Sequence, residues 1–467
     1  MLTTFDWIVA AIITLFLILI VKKFSATIKN AEDYYVASGS IPFSLLVGTL
    51  VATWYGGQGT LNSVEAGALS GMASWGIWCV GAHLSRIPLA LYIAPQISVR
   101  TEMTIPQMVK KSYGKGIALF IGCYLVIGSL NMGEIVAMRN FLSGVFGSEN
   151  AVIWSVIIIA GVILLTCFGG LMGVAVTDMM LFWCMCTAVA LAIPAMWGNV
   201  GGWSGLVSSL TSSLGKEQTD LLMNPIFGGD TLGVITLLVM SLGVYVEAGL
   251  YQRFRAADSP RSASRSYLTA FCVFICLDFL LTVAGLLVLA LEPGSSNIAQ
   301  SYVGLVCTHL PAGIRAIFFV GILGAIISTL DSYWLVGGMM ISNDVIGHFK
   351  KLTDRQSILY GKIAVCCIAV VAYLGASVFT QSLAATRFIN TMSMAVTFPV
   401  CFFGLFYKGR KTVFGGWCTI AVGSAIYFYL TFVHPMGFNG MLVALPVAIA
   451  TFFLTKNIGK TAEELEA

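Results

Sequence analysis

The sequence predicts an all-α polytopic membrane protein with about thirteen transmembrane helices of about 20 residues each. Composition is the first reason: hydrophobic residues make up 58%, charged residues 10%, and mean hydropathy is +0.90. A soluble fold of this length lacks the polar groups to cover so much apolar surface. Apolar runs recurring at membrane-spanning length are the second reason. The third is that basic residues gather in alternate connections between those runs.

The first run, Trp7 to Val21, is followed by Lys22 and Lys23. A secretory signal carries its positive charge ahead of the apolar core, so this is a retained helix with its N-terminus outside. The remaining spans read as 41–67, 75–95, 117–146, 152–168, 174–197, 232–251, 267–291, 314–340, 358–379, 388–407, 414–433 and 441–454. The odd-numbered connections then face the cytoplasm. They carry Lys22, Lys23 and Lys29, then Arg100, Lys110, Lys111 and Lys115, then Arg253, Arg255, Arg261 and Arg265. Lys350, Lys351 and Arg355 follow, and then Lys408, Arg410 and Lys411, while the even-numbered connections carry almost none, the longest of them holding Lys216. This alternation puts the chain in the cell membrane as a multi-pass protein, with the tail from Lys456 ending inside. The net charge of +4 is therefore set by topology and implies no nucleic-acid partner. Nearly all of the twelve cysteines fall within apolar runs without a CxxC pair, as small buried hydrophobes do.

Chemistry enters where polar residues interrupt these runs. In Ala325-Ile-Ile-Ser-Thr-Leu-Asp-Ser332, a pitch of about 100° per residue sets Ala325, Ser328, Thr329 and Ser332 on one helical face. Asp331 lies beside that face. Hydroxyls alone are also what back-bonding to the i−4 carbonyl looks like. A carboxylate at bilayer depth is costly and marks a functional site, and an oxygen-only ligand set suits a hard cation such as Na⁺.

Ala52-Thr-Trp-Tyr-Gly-Gly-Gln-Gly59 sets three glycines and a glutamine in an apolar run. Glycine weakens a helix and bares its backbone, so the second span is expected to break here, with free carbonyls lining a cavity. A close helix contact through small residues is the competing reading. Glu134 and Arg139 share the fourth span at a spacing that turns them apart, so one of them needs a partner elsewhere. Asp178 lies near the start of the sixth span and Glu247 deep in the seventh. His83 and Arg86, in the third span, read as a structural pair, with snorkelling toward the inner surface as the alternative.

These stretches resemble the sodium:solute symporter family, which includes sodium/glucose, proline, pantothenate, sialic acid and choline carriers. The similar segments are Asp33 to Ser40, Ala52 to Gly59, Gly169 to Asp178, Tyr251-Gln-Arg253, and Ala325 to Ser332 running on to Asn343-Asp344. The second span is most similar to the choline-transporter branch. The resemblance implies a LeuT-like fold of two inverted five-helix repeats with one extra N-terminal and two extra C-terminal helices. The divisions are 1–40, 41–200, 201–407 and 408–467. It implies sodium as the coupling ion, one or two per cycle. The principal site falls on the carbonyls of Ala52, Tyr55 and Ala325 and the hydroxyls of Ser328 and Thr329. A second site falls on Ser328, Asp331, Ser332 and Asp178.

The resemblance further implies a small organic solute held by Trp54, Gln58, Trp78, Arg139, Tyr245, Glu247 and Tyr251. Arg139 is suited to clamp a carboxylate and Glu247 to meet an amine, as a zwitterion, amino acid or carboxylate would require, and a structural salt bridge from Arg139 to Glu247 or Glu134 is the competing reading. Choline or another organic cation is the alternative, with Trp54 as its aromatic face. A non-transporting solute sensor on the same scaffold is another, and the four scattered histidines give no catalytic constellation.

Overall fold

A computed structural model describes residues 2–25, 28–226 and 230–466. Among them the fold is helical, and the sole β feature is an isolated bridge between Ile41 and Ala257. In order, the principal helices are α1 (Thr4–Ser25), α2 (Phe43–Trp54), α3 (Gly57–Ser70), α4 (Ser74–Ser98), α5 (Ile105–Ser129), α6 (Met132–Phe146) and α7 (Ser148–Val200). They continue as α8 (Thr231–Val246), α9 (Ala248–Ala256), α10 (Pro260–Leu291), α11 (Ile314–Phe349) and α12 (Asp354–Val378). The last are α13 (Ser382–Val396), α14 (Phe398–Phe406), α15 (Val413–Val433) and α16 (Met441–Thr455).

Several helices begin before the apolar run that announces them, because a cap and a proline start them early. Thr104 accepts from the Gln107 N–H at 3.3 Å with Pro106 in the first turn of α5, and Ser259 accepts from Ser262 N–H at 3.2 Å ahead of Pro260 in α10. Thr353 and Gln356 form a reciprocal capping box at α12.

The helices also break where sequence allows it. α2 ends at Trp54 and α3 starts at Gly57, as the glycine cluster predicts. α5 and α6 part at Asn131, whose φ of 49° lies in the left-handed region that asparagine tolerates. The 53-residue α7 turns at Gly170, φ 56°, where a Cβ would stand 3.2 Å from the Tyr34 carbonyl oxygen. Among the described residues, eight helices are long and apolar enough to cross a membrane, or up to ten if each bent pair is one span. Thirteen crossings are more than these lengths establish, because α2 and α16 are short and α7 carries two expected spans in one run.

Glycines decide which helices approach. Gly321 and Gly324 of α11 face α7: a Cβ at the first would lie 2.6 Å from the Cys184 carbonyl oxygen and at the second 2.3 Å from Leu181 Cδ2. Ser328, four residues on from Gly324, continues that face and meets Asp178 of α7. Gly48 of α2 does the same against Met179, which brings Thr49 to Asp178.

At one end of the bundle, the short helix Ala31–Val36 ties several elements together. Tyr35 Oη donates to the Ser357 carbonyl at 2.9 Å, and Gln252 Nε2 donates to the Tyr35 carbonyl at 2.7 Å. Ile41 N–H bonds the Ala256 carbonyl at 2.9 Å and Asp258 N–H returns to Ile41 at 3.0 Å. Arg255 pairs with Glu32.

Backbone also meets backbone between α3 and α10, where a Cβ on Gly285 would stand 2.2 Å from the Val64 carbonyl oxygen. Gly285→Val is expected to cost at least about 1–3 kcal/mol by overpacking. The check is a lowered unfolding temperature of the purified protein; an unchanged one contradicts this crossing.

Candidate functional site

The break between α2 and α3 produces the central chemistry. Tyr55 N–H makes the last bond of α2, to the Val51 carbonyl at 2.7 Å, and the chain then leaves the helix at Tyr55, φ −99° and ψ 51°. The carbonyls of Ala52, Thr53, Trp54 and Tyr55 are therefore the four that a helix end leaves without intrahelical partners. Across from them, Thr329 Oγ1 of α11 lies 3.2 Å from Ala52 O, 3.2 Å from Thr53 O and 3.0 Å from Ala325 O. One hydroxyl proton serves one of those three oxygens. The others converge on the same point with negative ends inward, which is what a hard monovalent cation requires. The residues thus fit sodium, and Thr53 joins the expected set. Ser328 Oγ, beside them, donates its proton to Asp178 Oδ1 and keeps its lone pairs for a ligand. Gly56 makes room for this arrangement: a Cβ there would stand 2.1 Å from Thr329 Oγ1 and 2.7 Å from Glu134 Oε1.

The expected second set, Ser328, Asp331, Ser332 and Asp178, is gathered as the helical spacing requires, but around a guanidinium. Arg253 of α9 is fully buried. Its Nε donates to Thr49 Oγ1 at 3.2 Å, NH1 to the Gly249 carbonyl at 3.1 Å, and NH2 to Ser332 Oγ at 2.6 Å and to Thr53 Oγ1. NH2 also lies 4.0 Å from Asp178 Oδ2, which accepts from Thr49 Oγ1 at 2.5 Å. The expectation that Arg253 belongs to a cytoplasmic loop is therefore corrected. Short α9 continues past Tyr251, and a fixed positive charge stands among the ligands assigned to a second ion. Asp331 Oδ1 is buried without a hydrogen-bond partner.

A cavity of about 200 Å³ opens beside the break, smaller than those that take drug-sized ligands. Trp54, Gln58, Trp78 and Glu247 line it. The other three expected solute contacts do not. Tyr245 Oη is spent on the Ser85 carbonyl at 2.7 Å and Tyr251 Oη on the Tyr245 carbonyl at 2.7 Å. Arg139 points away, stacked 4.3 Å from the Tyr373 ring centroid and donating to Ser377 Oγ at 3.2 Å and the Tyr373 carbonyl at 3.2 Å. Glu247 lines the cavity but caps α9, accepting from Gly249 N–H at 3.0 Å and Leu250 N–H at 2.6 Å. Glu134 holds the start of α3 in the same way, through Gln58 N–H at 3.0 Å.

A family model for the sodium:solute symporter family matches residues 34–423. The chain belongs to that family. It is 24% identical over 380 residues to the high-affinity proline transporter of Bacillus subtilis (strain 168), covering 77% of this chain and 78% of that one. Identity to the high-affinity choline transporter 1 of Torpedo marmorata is 24% over 452 residues, 87% of this chain and 74% of that one. Among solved structures, a Na⁺-coupled sialic acid symporter in a substrate-bound outward-open state superposes with a TM-score of 0.82 over 99% of both chains at 16% identity. A nucleobase-cation-symport-1 family transporter, Mhp1, does so with a TM-score of 0.62 over 92% of this chain and 96% of that one at 15% identity. The protein is accordingly a multi-pass membrane carrier of LeuT-like fold, and sodium-coupled symport of a small organic solute is its activity.

In this symporter, one cavity group, Asp278, has no counterpart in the sequence reading. Asp278 of α10 accepts from Ser63 Oγ at 3.2 Å and pairs with His83 Nε2 at 3.3 Å, so His83 does not pair with Arg86. Arg86 instead sits over Trp54, 4.8 Å from the ring centroid. An acid in the middle of the α10 run was the available signal.

Gly56→Ala would push Thr329 off the carbonyl cluster. Sodium affinity is expected to fall at least about tenfold, or ~1.4 kcal/mol, read as a weakened sodium-dependent rise in unfolding temperature. An unaltered response contradicts the site.

Proposed function

We propose that this symporter binds one sodium ion at the carbonyls of Ala52, Thr53, Tyr55 and Ala325 and the hydroxyls of Ser328 and Thr329, and imports a small organic solute from the adjoining cavity. The observation that carries the assignment is the convergence of three carbonyl oxygens on one Thr329 hydroxyl where α2 breaks. Sodium there bridges α2 to α11. Trp54, Gln58 and Trp78 contact the solute, and Glu247 acts through the α9 cap. Tying the break to α11 orders the wall that the solute touches, so each ligand raises the affinity of the other by the same factor.

The cluster of Asp178, Asp331, Ser328 and Ser332 takes no second ion in this reading. The Arg253 guanidinium supplies its positive charge, and Ser332 already accepts from it. Asp178 orients the Ser328 hydroxyl so that its lone pairs face the principal site.

The inverted-repeat division, 41–200 against 201–407, is supported by the matching breaks, α2/α3 in the first half and α8/α9 in the second, the latter bent by 44°. The alternating lysines and arginines support an outside N-terminus and a cytoplasmic C-terminus. Sodium entering along the membrane potential adds about 2.3 kcal/mol per charge per 100 mV.

Titrating the purified protein with sodium at constant ionic strength, potassium replacing it, is expected to raise the unfolding temperature with a Hill coefficient near one. A coefficient near two restores the second site and overturns the single-ion assignment. Ser328→Ala combined with Thr329→Ala is expected to abolish that response and sodium-driven uptake into proteoliposomes, while expression persists; retained uptake contradicts the site.

A further inference from the structure

The cavity contains a cation that sodium binding does not use. Arg86, on α4, is 3% exposed and lines the cavity. Its NH2 donates to the Ser241 carbonyl at 3.3 Å, Nε has no partner, and among the described residues no carboxylate oxygen comes within 4.0 Å of the guanidinium. Trp54 covers one of its faces. A guanidinium has five N–H donors in a fixed fork, and leaving a buried one without a counter-charge is costly. A carboxylate matches the fork with two parallel bonds.

The rest of the lining narrows the ligand further. Glu134, Glu247 and Asp278 share the cavity with Arg86. Glu247 is committed to its helix cap, and Asp278 to Ser63 and His83. Glu134 uses Oε2 on Gln58 N–H, whereas its buried Oε1 has no partner. A purely anionic solute would meet these carboxylates, and a purely cationic one would leave Arg86 uncompensated. One face of Trp54 is already covered by a cation and is closed to a quaternary ammonium.

We propose that Arg86 anchors the carboxylate of a zwitterionic solute whose positive end is received by Glu134. This rests on the reading that the cavity beside the α2/α3 break carries the solute. It moves the carboxylate anchor from Arg139, on the far side of its helix, to Arg86. Arg86 is then a specificity-determining residue.

The test uses the full-length purified protein in sodium and matched ligands: glycine, L-proline and glycine betaine against glycinamide, L-prolinamide and choline, with acetate and propionate as simple carboxylates. At least one zwitterion is expected to raise the unfolding temperature, with its carboxylate-free counterpart and the simple carboxylates at least tenfold weaker. Arg86→Gln is expected to weaken the zwitterion at least tenfold while the response to sodium alone persists, and Arg86→Lys, which keeps charge but not the fork, to lose less. Should Arg86→Gln fail to fold, the matched ligands on the unmodified protein and Arg86→Lys decide. The anchor is overturned if carboxylate-free ligands bind as well as their partners, if no zwitterion binds, or if both Arg86 variants bind as the unmodified protein does. Absence of any sodium response in the unmodified protein sinks the sodium-site assignment instead.

Discussion

A peptide group inside a bilayer must find its hydrogen-bond partner within the protein, and the interruption after Trp54 is where this chain turns that requirement to use. Ending a helix there leaves the carbonyl oxygens of its last turn without intrahelical partners. Thr329 has one proton for the Ala52 and Thr53 oxygens of that end and for the Ala325 oxygen of its own helix, so the region is under-satisfied by its own side chains. A cation seated there would add to the contacts that already join the two helices, the close packing at Gly56 and the Thr53 and Ser332 hydroxyls 3.3 Å apart. The glycines that let α11 approach α7, and α2 approach Met179, set the register that brings these oxygens together. Binding and packing are thus one construction.

The opposite ends of the broken spans show the complementary problem, exposed N–H groups and a positive dipole end. Both are met by carboxylates, but by different routes. Glu247 precedes α9 and caps it locally, whereas Glu134 reaches the start of α3 from α6. The second arrangement links the α2/α3 break to a helix lining the cavity, so a shift of α6 changes the polar environment of the break. Arg253 plays a comparable part on the other side of Thr329, holding Thr49, Thr53 and Ser332 in place with a charge that cannot leave.

What was legible in the sequence was what depends on local spacing. The glycine cluster marked the interruption, the stripe from Ala325 to Ser332 marked the facing helix, and the isolated Asp178 marked their neighbour. Partners across the fold were not legible, because a charged residue in an apolar run announces a cost without saying who offsets it. Arg253 was assigned to a loop because basic residues follow it, and only the burial of α9 shows that it faces inward. Arg139 and Arg86 illustrate the same limit: both are arginines in apolar spans, and helix rotation alone sends one to Tyr373 and the other to the cavity. Asp278 drew no notice because its partners, Ser63 and His83, lie more than a hundred residues away in sequence.

The bridge between Ile41 and Ala257 has a mechanical corollary. It links the residues just before α2 and just after α9, the two short halves whose other ends abut the breaks. Half-helices tied together at their tips are coupled there, so neither can shift at this end of the carrier without breaking backbone bonds to the other. Its hasp is the pair of backbone bonds at Ile41, reinforced by Gln252 on Tyr35.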